Sequence, residues 1–232
     1  MIERPSPNHE ARSPDIAVDI LLLHYTGMPT AEAALTRLCD PAARVSAHYT
    51  IDEDGTLYRH VDEDRRAWHA GTSFWAGSTD INGRSIGIEL VNPGHEFGYR
   101  AFPEAQMAAL CGLASGILAR HPIPPHRVLA HSDVAPGRKE DPGELFDWAR
   151  LAADGIGLWP GEGIKESETP IAAIQLMLAR FGYEVTGTSV LDEATRSALT
   201  AFQRHFRPAR IDGEPDADTA GRLQALCAML KT

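Results

Sequence analysis

Residues 16–27 read IAVDILLLHYTG, and this stretch decides the fold class. Its apolar run is far shorter than the roughly 20 residues of a membrane helix. Aliphatic and β-branched residues in so short a run, closed by Tyr-Thr-Gly, read as a buried strand. The pattern predicts a strand from Ile16 to Leu23 that stops at His24-Tyr25-Thr26-Gly27. A strand end is a rigid place from which to aim a side chain into a cleft, so His24 becomes a candidate functional residue.

Working outward, Ala31 to Cys39 reads as a short helix. Ala47–Ile51 and Thr56–Val61 alternate around Asp52-Glu53-Asp54-Gly55, a turn-forming cluster, and predict a hairpin. Ser85–Val91 (SIGIELV) is another apolar strand. Glu104–Arg120 carries apolar residues at 107, 110, 111, 114, 117 and 118, the helical period. Arg127–Ala130 forms a last short strand that ends at His131. The fold class expected is α/β, a mixed central β-sheet flanked by helices, in a catalytic unit over residues 16–160. Residues 1–15, polar and proline-spotted, predict an arm ordered by contact or a loose tail. Gly and Pro punctuate residues 161–169, a linker. Residues 170–232 predict a small all-α domain of three helices: Pro170–Phe181, Asp192–Phe206, and a third following Asp218-Thr219 to Leu230.

With 232 residues, 43% hydrophobic and 23% charged, the chain has the composition of a soluble globular protein of one or two domains. A net charge of -10 argues against nucleic acid, whose phosphates need clustered Lys and Arg. Cys39, Cys111 and Cys227 are odd in number, widely spaced and without a CxxC pair, and are expected as reduced thiols. The first twenty residues lack the basic start and apolar run of a secretory signal. A cytoplasmic monomer with no membrane partner is therefore expected, and a periplasmic one if a leader was trimmed away.

A catalytic zinc needs three protein ligands and one open position, and His nitrogens with a carboxylate are a usual set. His24 and His131 each follow an apolar strand (LLLH, VLAH), and Asp141 lies ten residues on in APGRKEDPG. Their spacing has no local signature of the HExxH kind. Taken singly, each His reads first as a packed or solvated imidazole, as His48 and His60 on the hairpin do.

The segments HYTG (24–27), SAHYTIDEDGTLY (46–58), AWHAG (67–71), SIGIELVN (85–92) and AHSDVAPGRKEDPG (130–143) together resemble the type 2 N-acetylmuramoyl-L-alanine amidases. These are bacterial zinc amidases related to phage lysozyme-like amidases and to peptidoglycan recognition proteins. The resemblance implies Zn2+ as cofactor, held by His24, His131 and Asp141. It implies Glu89 as general base and then acid, and Lys139 as the group facing the developing oxyanion. Without the resemblance, Glu89 would read as a charged strand residue and Lys139 as a solvated loop lysine.

The implied substrate is a muropeptide or peptidoglycan, cut between the lactyl group of N-acetylmuramic acid, or its 1,6-anhydro form, and L-alanine. A cytoplasmic setting would favour cell wall recycling. Trp68, His69, Phe74 and Trp75 are expected to line the cleft, although packing explains them equally well. Arg84 and Arg138 are candidates for stem-peptide carboxylates. Two rival readings stand beside this one: a recognition protein that binds muropeptides without cutting them, and a zinc hydrolase of some other amide.

IQLMLARFGYEVTG (174–187), LDEATRSALTAFQRHF (191–206) and IDGEPDADTAGRL (211–223) resemble a three-helix peptidoglycan-binding module. Val190-Leu191 replaces that family's usual Gly before the second helix. This puts ligand binding in doubt and leaves packing against the amidase as the alternative.

Overall fold

The computed structural model describes residues 1–161 and 169–230. Most of the expected linker, 162–168, lies outside the described residues. The central sheet has six strands, in chain order β1 (Ile2–Glu3), β3 (Ile20–Tyr25), β4 (Tyr49–Ile51), β5 (Leu57–Arg59), β7 (Ser85–Leu90) and β8 (Val128–Ala130). Their order across the sheet is β1-β5-β4-β7-β3-β8. The four strands from β4 to β8 run parallel, and the hairpin return β5 is antiparallel to β4. A separate ribbon pairs β2 (His9–Ala11) with β6 (Arg65–Ala67). The α/β class and the mixed sheet are as the sequence leads one to expect.

The alternation of β3 sorts the molecule into two layers, because successive side chains in a strand face opposite sides. Leu21 and Leu23 face a core shared with Ile86, Ile88 and Leu90 of β7. That core is covered by α4 (Glu104–Arg120), whose Met107, Leu110, Leu113, Ala114 and Ile117 are buried. Ile20, Leu22 and Leu129 face the other way, into a core built with the C-terminal helices. These are α7 (Ile171–Phe181), α8 (Glu193–Phe206) and α9 (Ala217–Met229). They bury Ile174, Leu178, Phe202 and Leu223 against the sheet. Asp192 and Asp216 cap α8 and α9 by accepting from Thr195 and Thr219 N–H.

Shorter helices complete the chain: α1 (Ala31–Cys39), α2 (Ile81–Arg84), α3 (Gly94–Phe97), α5 (His131–Val134) and α6 (Trp148–Ala153). Among the described residues no helix is long and apolar enough to cross a membrane. All three cysteines are free thiols.

Several boundaries differ from the sequence reading. The first core strand begins at Ile20, because Asp19 turns its carboxylate to Arg84 and Arg127. It runs on through Tyr25, so His24 lies within the strand. The third C-terminal helix begins at Ala217, because Asp216, not Asp218, accepts both the N–H and the hydroxyl of Thr219. The arm is ordered: β1 extends the sheet edge at β5, and Asn8 Nδ2 donates to the Asp40 and Val45 carbonyls at 2.8 and 2.9 Å. Arg12 anchors it by reaching the Asn82, Gly83 and Ser85 carbonyls. Burial brings the Arg12 guanidinium down to about 10.

Candidate metal centre

Parallel register places His24 of β3 beside Glu89 of β7, at the C-terminal ends of the strands. Ligands of open parallel sheets gather at such ends. α5 follows β8 directly and delivers His131, and its Ser132 N–H donates to the Asp141 carbonyl at 3.0 Å. The result is a tight cluster. His24 Nδ1 and His131 Nδ1 are 3.0 Å apart, and Asp141 Oδ2 lies 3.1 and 3.0 Å from them. All three residues are buried.

The partners of the outer ring nitrogens set the tautomers. His131 Nε2 lies 3.0 Å from the Ala70 carbonyl, which only accepts, so Nε2 carries the hydrogen and Nδ1 of the neutral ring is a lone pair. For His24 two more residues, Ser85 and His69, decide the tautomer. Ser85 Oγ donates to the Ile81 carbonyl at 2.6 Å and therefore accepts from His69 Nε2 at 3.3 Å. His69 Nδ1 is then the acceptor for His24 Nε2–H at 3.1 Å, and His24 Nδ1 is bare. Burial, followed by the neighbouring His131, brings His24 down to about 4. Burial and the adjacent histidines also hold His69 well below the ordinary histidine value. Burial works to raise the Asp141 carboxyl, and positive charge on His131 and His24 is what lowers it; with both rings neutral, that charge must come from elsewhere.

Three acceptors thus converge with no proton to share, an arrangement that suits a cation. Two imidazole nitrogens and one carboxylate oxygen fit a divalent metal such as zinc with an open coordination position. His69 lines the cleft, as expected, and it also fixes the orientation of His24, as outer partners of metal-binding histidines do. Gly87 makes this geometry accessible, because a Cβ there would come within 2.6 Å of the His69 ring.

The cluster lies in a cleft of about 420 Å³ lined also by Trp68, Glu89, His95, Arg138 and Lys139. Glu89 Oε2 is buried with no hydrogen-bond partner. Burial, reinforced by Asp141, pushes the Glu89 carboxyl well above its ordinary value, and Lys139 opposes that shift. Arg138 Nη2 donates to the Ala70 and Thr72 carbonyls at 2.8 and 2.6 Å, on the same rim.

Three residues expected at the cleft lie elsewhere. Trp75 is 1% exposed and packs edge-on against Phe181 and Tyr183. Gly182 admits it, since a Cβ there would fall 2.4 Å from the indole. Arg84 precedes β7, at the opposite end of the strand from Glu89, and pairs with Asp19. Phe74 is half-buried beyond the cleft lining. His48 and His60 are structural, as expected. His48 Nδ1 accepts from Gly87 N–H at 2.9 Å, and His60 bridges the Arg4 carbonyl and Thr50 Oγ1, both at 2.8 Å.

The sequence reading passed over a polar group on the cleft rim. Tyr25 Oη lies 3.0 Å from His95 Nδ1, and His95 stacks on Tyr99 and meets Glu144. Tyr25 stands in the HYTG segment, but its partner His95 lies 70 residues further along the chain.

The family model for N-acetylmuramoyl-L-alanine amidase matches residues 14–144. The chain belongs to the N-acetylmuramoyl-L-alanine amidase family. A second model, for a peptidoglycan binding domain, matches residues 167–223. The N-acetylmuramoyl-L-alanine amidase AmiD of Escherichia coli is 38% identical over 230 residues, covering 90% of this amidase and 82% of that protein. A solved structure of E. coli AmiD is described as a complex with the substrate anhydro-N-acetylmuramic acid-L-Ala-D-γ-Glu-L-Lys. It matches at a TM-score of 0.82 and 35% identity, over 94% of this amidase and 93% of that chain. AmpDh3 of Pseudomonas aeruginosa, solved with an anhydromuramic pentapeptide, matches at 0.83 and 33%, over 95% and 96% of the two chains.

Proposed function

We propose that this amidase hydrolyses the bond between the lactyl group of an anhydro-muramyl unit and L-alanine, with zinc held by His24, His131 and Asp141. The convergence of three lone pairs beside Glu89, whose Oε2 is buried and unpartnered, carries this reading. The substrate described for the AmiD structure and the anhydromuramic pentapeptide bound in the AmpDh3 structure supply the substrate class and support turnover of anhydro-muropeptides. In this proposal residues 16–160 form the catalytic unit and residues 170–232 a helical unit docked on it.

Zinc bound there supplies Lewis acidity toward water and the scissile carbonyl. Glu89 takes the proton from the attacking water. Its raised pKa then lets it return that proton to the leaving alanine nitrogen, the behaviour of a base turned acid. Lys139, on the rim, places an ammonium toward the developing negative oxygen. Trp68 presents an aromatic face to the sugar, and Arg138, anchored on the rim, faces the stem peptide. A protein that only recognises muropeptides has no need of a desolvated carboxylate beside a complete donor set.

The test is incubation of the zinc-loaded protein with anhydro-N-acetylmuramic acid-L-Ala-D-γ-Glu-L-Lys, followed by mass spectrometry. Release of the free tripeptide by the wild type and none by Glu89→Ala is expected. Binding without release would support the recognition reading, and cleavage of simple acyl-alanine amides at equal rates would support a general amide hydrolase.

A further inference from the structure

Asp133 is a buried carboxylate that the proposed reaction does not use. It lies in α5, two residues after His131, with a side chain 0% exposed. Its Oδ2 accepts from the Ala130 N–H at 2.8 Å, which closes the turn that carries His131. The rest of its shell comes from the far end of the chain. Tyr183 Oη donates to Oδ1 at 2.6 Å, and His205 Nδ1 lies 2.6 Å from Oδ2. The His205 ring is stacked between Trp148 and Phe206, with centroids 3.7 Å away on each side. Two further backbone bonds run through this joint: Phe74 N–H to the Val134 carbonyl, and Ala76 N–H to the Gly182 carbonyl, both 2.8 Å.

A carboxylate left without donors in such a place is costly, so it holds its partners strongly. α5 supplies the His131 side chain and, through Ser132 N–H, pins the Asp141 carbonyl. Two of the three metal-cluster residues therefore depend on one short turn.

We infer that Tyr183, in the loop just after α7, and His205 of α8 are positioning residues for the metal site, acting through Asp133 on the turn that bears His131 and pins Asp141. The inference rests on the zinc reading of that site. In this view the C-terminal helices complete the catalytic unit from behind, whatever they bind.

The test measures zinc affinity of the full chain by chelator competition, and the absorption spectrum of the cobalt-substituted protein, for four variants. Tyr183→Phe keeps the ring and removes one donor; His205→Phe keeps the stacking and removes the other. His205→Asn restores a donor near Nδ1. Leu223→Ala weakens the same core without touching Asp133. Tyr183→Phe and His205→Phe are expected to weaken zinc binding about 10-fold or more, the scale of lost support around a metal ligand. They are also expected to alter the cobalt spectrum, with His205→Asn recovering much of both. Leu223→Ala should lower the thermal midpoint and leave affinity and spectrum unchanged. Wild-type affinity in both Tyr183→Phe and His205→Phe would overturn the inference, as would an equal loss in Leu223→Ala. A wild type that binds no zinc would overturn the metal reading itself, and this inference with it.

Discussion

At the residue scale the metal site depends on which nitrogen of each imidazole carries a hydrogen. The chain Ile81 carbonyl, Ser85, His69, His24 fixes one tautomer, and the Ala70 carbonyl fixes the other. His69→Ala should weaken zinc binding about 10- to 100-fold, because the Nε2 hydrogen of His24 loses its acceptor; chelator competition measures this. Glu89→Gln should lower kcat by roughly 100-fold or more while zinc content stays at the wild-type level. The pH profile offers a sign. Lys139 lowers the Glu89 carboxyl against the upward push of burial and Asp141. Removing the ammonium by Lys139→Met raises Glu89 further, so the acidic limb of kcat/KM should move to higher pH. A limb that stays in place or moves down would separate Lys139 from Glu89. Little of this scale is legible in the sequence alone. His24 and His131 stand 107 residues apart, and only the family resemblance joins them. Trp75 sits four residues after the WHAG segment's alanine-glycine pair, yet its partners are Phe181 and Tyr183, a contact no local pattern announces.

At the element scale, hydrophobic period is what the chain displays openly. α1 and α4 occupy the residues their spacing predicts, because each buries one face and begins and ends on clear boundaries. β6 was missed, since Arg65-Arg66-Ala67 has no apolar alternation and exists as a strand only because β2 pairs with it. The loop between β5 and β6 contributes an ionic anchor. Burial works to raise Glu63, but hydrogen bonds from Arg120, His121 and Tyr49 bring it down to about 2. A carboxylate with a depressed folded pKa stabilises the fold above its unfolded value, and that contribution is lost as pH falls through the folded one. Glu63→Gln should therefore cost about 1–2 kcal/mol at neutral pH. In denaturant titrations the gap from wild type should close as pH falls from about 4.5 toward 2. On β3, Leu22→Ala opens the core beneath the C-terminal helices and should cost about 2–5 kcal/mol.

At the scale of the whole molecule, the sheet is one wall of two cores, and the second core belongs jointly to the strands and to α7, α8 and α9. The three C-terminal helices are readable from their caps and apolar spacing. Their docking on the His24 face of the sheet is not, because Tyr183, His205 and Asp133 carry no signal of their partnership in the sequence. The full chain should accordingly unfold in a single calorimetric transition. Ending the chain before residue 162 should expose Ile20, Leu22, Trp75 and Leu129 and leave the Asp133 carboxylate without two partners, with a large loss of thermal stability. Two well-separated transitions, the first leaving bound zinc undisturbed, would contradict a shared core. The central claim, that His24, His131 and Asp141 hold a zinc that drives amide cleavage, is tested most directly by measuring metal content and anhydro-muropeptide cleavage on the same samples of wild type and Asp141→Ala. One zinc per wild-type chain, with zinc and tripeptide release lost together in the variant, is the predicted result. Undiminished cleavage by a chain stripped of zinc would contradict it.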